Sequence, residues 1–233
     1  MKHKKTSLAI AAILAVGTQF AGAIPTLYIS DGTVPGTITV LDGGFGDSLA
    51  ATPGAVLYAG GVGTNWVLTI STGLSKPVVG SGTSPELSLD VSAVSIGAGT
   101  VTIWWSDDDF GPLGNAHFVV GSSVSSLATG GSVTWSTYGD SGNAINGNDG
   151  ALAQSTLMSS MAVAAALNPA PQGGPEPFSY SLTAKIVITH GTGGGTSNPD
   201  MALTSVPDGG TTLALLGCSM LGLGGLRRKF SKG

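Results

Sequence analysis

An all-β fold, a single β-sandwich-like domain of about nine or ten strands, is predicted by abundant turn residues, short runs alternating apolar and polar side chains, and few charges. The 233 residues include 38 Gly and 12 Pro, and only 9% of them are charged. Turn residues at that density cut a chain into short extended segments, and alternation gives each segment one face to bury against a second sheet.

Leu27–Ser30, Thr37–Leu41 and Ala55–Tyr58 open the series of predicted strands. In Trp66–Ile70 positions 66, 68 and 70 are apolar, and in Glu86–Asp90 Leu87 and Leu89 oppose Ser88 and Asp90. Thr100–Trp105 sets Val101, Ile103 and Trp105 on one face and Thr100, Thr102 and Trp104 on the other, so one of two adjacent tryptophans faces outward. Ala116–Val120 and Ser132–Thr137 follow. Phe178–His190 is the clearest strand: Tyr180, Leu182, Ala184, Ile186 and Ile188 share a face opposite Ser181, Thr183, Lys185 and Thr189. Ala151–Leu167 fits a helix striped by Leu157, Met161 and Ala164 or Ala165, or equally a strand. Gly191–Asp200 is rich in Gly, Thr and Asn, which predicts a domain over 24–190 and a flexible spacer over 191–205.

The two ends differ from the body. Lys2, Lys4 and Lys5, an apolar run Leu8–Val16 and Ala21-Gly22-Ala23 have the layout of a secretory signal over 1–23, cut by signal peptidase after Ala23. At the other end an apolar run, Thr211–Leu226, precedes Arg227, Arg228 and Lys229. As a helix it would span roughly 24 Å, just short of the ~30 Å hydrocarbon core, and basic residues beyond it keep that end on the cytoplasmic side. The precursor is therefore expected to be a hairpin in the inner membrane. Of nine Lys and Arg only Lys76 and Lys185 lie between Ile24 and Val206, against twelve of the thirteen acids, a formal charge near −10. Nucleic acid and anionic lipid would be repelled, since binding either takes clustered cations. The single cysteine, Cys218, lies in the tail run, so no intrachain disulfide can form.

Val206-Pro207-Asp208-Gly209-Gly210, the apolar run and the basic cluster, in that order, resemble the C-terminal sorting signals of the PEP-CTERM class, in particular the VPDSG variant, with Gly209 where that variant carries Ser. The resemblance covers residues 206–233. It implies a Gram-negative bacterium and an exosortase, a membrane cysteine transpeptidase-like enzyme that cuts near the signature and passes the protein to the cell surface or extracellular matrix. The body is also similar to uncharacterised secreted β-rich proteins with such tails, through Trp66-Val67-Leu68-Thr69, Thr72-Gly73-Leu74-Ser75-Lys76-Pro77 and Tyr180-Ser181-Leu182-Thr183. Those relatives imply no activity.

Two tetrapeptides resemble nucleophile blocks: Gly46-Asp47-Ser48-Leu49 that of GDSL esterases and Gly139-Asp140-Ser141-Gly142 that of trypsin-like proteases. The first needs a later Asp-x-x-His, yet Gly114 precedes His117 and Val187 precedes His190 at that spacing; the second lacks Gly-Gly-Pro after the serine. Turns rich in Gly, Asp and Ser generate such strings readily, so neither serine is expected to be catalytic. His117 and His190 lack partners at zinc-ligand spacing, and His190 is expected as a capped imidazole at a sheet rim. Asp107-Asp108-Asp109 suggests calcium, but without an Asp-x-Asp-x-Asp-Gly loop a solvated turn is the better expectation. No cofactor is expected. The residues support a non-enzymatic structural or adhesive protein of the polysaccharide layer, the matrix role being what the resemblance implies. The alternative is a carbohydrate-binding module whose outward Trp104 stacks on sugar, and after it a secreted serine hydrolase at Ser48 or Ser141.

Overall fold

Alternation does build two packed sheets. The computed structural model describes residues 24–111, 117–140, 142–146, 150–157, 163–165 and 179–206, excepting the side chains of Ile70, His117, residues 150–157 and 163–165, and Val206. Among the described residues thirteen strands run in chain order: β1 (Thr26–Ser30), β2 (Thr37–Leu41), β3 (Ala55–Val62), β4 (Trp66–Leu74), β5 (Glu86–Ser95), β6 (Gly99–Phe110), β7 (His117–Val124), β8 (Ser132–Asp140), β9 (Gly150–Leu157), β10 (Val163–Ala165), β11 (Tyr180–His190), β12 (Gly195–Ser197) and β13 (Pro199–Val206). One sheet has the order β2-β1-β6-β11-β8-β9; the other has β10-β7-β13-β5-β4-β3, with β12 also on β5. All the strand pairs are antiparallel. No described residue is helical. The signal over 1–23 and the tail beyond Val206 lie outside the described residues.

The core is the sum of the inward positions. Leu87, Leu89, Val91 and Ala93 of β5 face Val101, Ile103 and Trp105 of β6 and Leu182, Ala184, Ile186 and Ile188 of β11, all essentially without exposure. Burying each large aliphatic side chain contributes about 1.5–3 kcal/mol. Trp105 has room because Gly73 lies across from it: a Cβ there would overlap the indole, which explains a glycine inside a strand. Its Nε1–H donates to the carbonyl of Leu74 at 3.0 Å, so the most buried tryptophan leaves no polar atom unpaired.

Three expectations are corrected. The spacer over 191–205 is folded: β12 pairs with β5, and β13 lies between β7 and β5. Pro199, Met201, Leu203 and Ser205 are buried while Asp200 is exposed and Ala202 and Thr204 are half-buried, so the stretch carries the alternation of a central strand, and the folded domain runs to Val206 rather than 190. In β4 a bulge between Leu68 and Ile70 shifts the phase, so the inward residues after Leu68 are Ser71, Gly73 and Ser75. Asp107 is no solvated turn residue: it lies within β6 and has no exposure. The ambiguous stretch 151–167 contains strands β9 and β10.

Candidate functional site

The outer face of the first sheet presents the aromatic predicted to be outward. Register aligns Thr39, Tyr28, Trp104, Lys185, Ser136 and Gln154 in one row across six strands. Trp104 is half-buried; Tyr28 meets it in a T-shaped contact at 5.0 Å, and the Lys185 ammonium lies 5.4 Å from its ring centroid. The indole is thus wedged between two side chains, with a cation over its π-face. A ligand stacking on that face must displace Lys185, and one lying across the row meets phenol, indole and ammonium together. Thr102, Val187 and Thr134 form the next row, and beyond them the hydroxyls of Thr100 and Thr189 are 2.9 Å apart.

The loop after β2 shows what the Gly46–Leu49 string does. Asp47 accepts the amides of Gly43 (3.0 Å), Leu49 (2.8 Å) and Leu57 (3.0 Å), and the amide of Ser48 donates to the carbonyl of Leu57 at 2.9 Å. The carboxylate is a staple that ties the loop to β3, and Ser48 is exposed. We expect Asp47→Ala to lower stability by about 1–3 kcal/mol through its unpaired amides, and Ser48→Ala to change it by less than about 0.5 kcal/mol, both read from chemical denaturation. Ser141 lies outside the described residues; beside it, Asp140 accepts the amide of Ala144 at 3.2 Å.

His190 is fully engaged. It is 2% exposed and lies against Trp66 with ring centroids 4.6 Å apart. The Ser95 hydroxyl donates to the Gly97 carbonyl (2.9 Å), so the ring Nδ1–H donates to Ser95 Oγ (2.7 Å). Nε2 then accepts from the Ser197 hydroxyl (2.8 Å), whose oxygen takes the Ala128 amide (3.1 Å). With these directions every proton in the chain has one acceptor, an arrangement that suits a neutral imidazole, and burial lowers its pKa from 6.5. Both nitrogens are occupied by serines of the second sheet. The ring is a clamp between sheets, with no nitrogen free to activate a nucleophile.

A second clamp closes the opposite pole. Asp107 accepts from the Ser75 hydroxyl at 2.5 Å and the Lys76 ammonium at 2.8 Å, and its other oxygen takes the Asp108 amide at 2.9 Å. Lys76 also donates to the Asp108 carbonyl and lies 4.0 Å from the centre of the Phe110 ring. Burial pushes the Asp107 carboxyl upward against the lowering by Lys76 and Ser75. Asp109, at φ 54°, forms a reciprocal pair with Asn143: its amide donates to Asn143 Oδ1 (2.8 Å) and Asn143 Nδ2 donates to its carboxylate (2.7 Å). The carboxylates of Asp107 and Asp109 are thus held by different partners, and Oδ1 of Asp108 is buried without a hydrogen bond. Among the described residues no group of three or more His, Cys, Asp or Glu side chains is placed to hold a metal ion.

Of the residues expected to direct processing, the structure describes one. Val206 is the last residue of β13; Ala21, Ala23, Pro207, Asp208, Gly209, Gly210, Arg227, Arg228 and Lys229 lie outside the described residues. Among the described residues no helix is long and apolar enough to cross a membrane. No curated protein matches the chain. Among solved structures, the K1 cleaved adhesin domain of Lys-gingipain from Porphyromonas gingivalis W83 aligns at 13% identity over 67% of this chain and 92% of that one, with a TM-score of 0.28. A likeness that loose carries no argument about role. The family model of the VPDSG-CTERM motif matches residues 205–230. Those residues are a C-terminal sorting signal of the PEP-CTERM type, and the chain is an exported, envelope-associated protein sorted through that tail.

Proposed function

We propose that the mature domain is a non-enzymatic structural or adhesive component of the cell surface or extracellular polysaccharide layer, delivered there after cutting by an exosortase-type enzyme. The observation that supports this reading is the saturation of His190: both ring nitrogens are bonded to buried serines, which leaves the exposed Ser48 without this imidazole as a base. Incubation of the purified domain with a fluorophosphonate probe should leave it unlabelled. Stoichiometric labelling at Ser48 or Ser141 would replace the adhesive reading by a secreted hydrolase.

One observation favours a second reading, a carbohydrate-binding role. Tyr28, Trp104 and Lys185 form a continuous aromatic and cationic row on a face otherwise rich in Thr and Ser. Aromatic faces stack on sugar rings, and an ammonium beside them can donate hydrogen bonds to ring hydroxyls. We expect the domain to bind an uncharged polysaccharide on a glycan array, with Trp104→Ala weakening it about tenfold, or ~1.4 kcal/mol. Binding unchanged in Trp104→Ala would remove this row from the site.

A further inference from the structure

The chain enters and leaves the sandwich at one pole. Thr26 opens β1 opposite Ser106, near the end of β6, and Thr204 lies opposite Glu86 at the start of β5. The Lys76–Asp107 pair joins the end of β4 to the end of β6, and the Gly111 amide donates to the Gly82 carbonyl. These cross-sheet bonds place the start of β1 and the end of β13 on the same side of the molecule. The His190 clamp and the turn 191–194 mark the other side.

The sorting signal begins inside the fold. The motif match starts at Ser205, which is paired with Phe118 of β7 and donates its amide to the Pro85 carbonyl at 3.0 Å; Val206 is paired with His117. No free linker separates the sheet from the signal. From Val206 to the apolar run at Thr211 the chain can reach at most roughly 18 Å.

We infer that in the membrane-anchored precursor the sandwich stands with the pole formed by Thr26, Pro85, Phe110 and Val206 toward the bilayer, tethered flush against it, and with the His190 pole pointing outward. The surface presented to lipid is the loops 42–54 and 77–85 with the ends of β6 and β8. Asp108, Asp109 and Asp140 at that pole disfavour adsorption on anionic headgroups, so charge does not draw the pole to lipid and the tether imposes the approach. Strands of up to 12 residues put the opposite pole roughly 40 Å further out. The inference rests on insertion of the tail into the membrane.

The test uses precursor without the signal, residues 24–233, so that the tail is its one expected membrane segment, in phosphatidylcholine vesicles carrying an acceptor-labelled lipid. Cys218→Ser is combined with a donor dye on Thr83→Cys at the near pole or on Thr192→Cys at the far pole; both threonines are exposed. Energy transfer from position 83 is expected to exceed that from 192 severalfold and to be insensitive to salt. A Gly/Ser insert of roughly 20 residues between Val206 and Pro207 should abolish the difference. Equal or reversed transfer without the insert, loss of the contrast in high salt, or a contrast that survives the insert would overturn the flush tether. Transfer from neither position would instead refute tail insertion, and this inference with it.

Discussion

Asp107→Ala is expected to be the most damaging single substitution in the domain, lowering stability by about 3–5 kcal/mol, because it removes one partner of a buried ion pair and leaves the other charge uncompensated. The carboxylate has no exposure and Lys76 only 18%, so water can rescue little of the loss. Ser75, also fully buried, loses its acceptor as well. For a domain of this size the melting temperature should fall by about 6–20 °C. The pair itself contributes far less than this. Burial outweighs the lowering by Lys76 and Ser75 and leaves the folded-state pKa of Asp107 above 3.8, so its share of stability is complete below that value and is lost as the pH rises through the folded one. Replacing both partners, as in Lys76→Met with Asp107→Leu, should therefore recover most of the loss. Denaturation curves of the single and double variants decide it: if the double variant is as unstable as Asp107→Ala, the clamp is a net source of stability and the desolvation argument fails.

How much of this was legible depended on whether a segment's neighbours shared its pattern. In β5, β6 and β11 the residues expected inward are buried, down to the choice between Trp104 and Trp105, although Ser181 and Thr183, expected on the opposite face of β11, are buried too. β13 failed because Gly191–Asp200 looks like a linker by composition, although Met201, Leu203 and Ser205 already carried a period of two. Its inward residues gain their meaning only from β5 and β7 on either side, partners distant in sequence. The polar clamps were illegible for a related reason. Ser75, Ser95, Ser197 and Asp107 are residue types that ordinarily mark turns, and nothing local shows that Ser95 and Ser197 converge on one imidazole. The Gly46–Leu49 string, read from the sequence as turn composition, takes its order from the loop: the aspartate is needed for three amides, and the serine follows as an exposed neighbour.

The two clamps answer a constraint set by composition. With no cysteine outside the tail run, an exported sandwich has no disulfide between its sheets, and the link must come from packing and buried hydrogen bonds. Each pole has one polar residue of the first sheet, Asp107 or His190, reaching serines of the second. Satisfied networks of this kind fix the register of the sheets, since a slip by one residue would bury every member unpaired.

His190→Ala should therefore cost about 3–4 kcal/mol, the sum of a cavity beside Trp66 and a buried Ser197 hydroxyl without an acceptor, and lower the melting temperature by about 6–16 °C. Its pH signature separates this clamp from simple packing. Burial lowers the ring pKa from 6.5, so above 6.5 the imidazole is neutral in both folded and unfolded chains and stability is complete. As the pH falls from there to the folded-state value, the unfolded chain binds a proton that the folded one refuses, and stability declines by up to about 1.4 kcal/mol per pH unit. A proton on Nε2 would leave the Ser197 hydroxyl with no acceptor, which is why the folded state refuses it. Asp90, Asp107 and Asp108, all raised by burial, act in the opposite sense at their own values, so the decisive quantity is the difference between wild type and His190→Gln. That difference should shrink steadily from about pH 7 to about pH 5 as wild type alone loses stability. Parallel curves across the interval would show that the ring is charged or exposed in the native protein, and the hydrogen-bond chain from Ala128 to Gly97 would have to be redrawn.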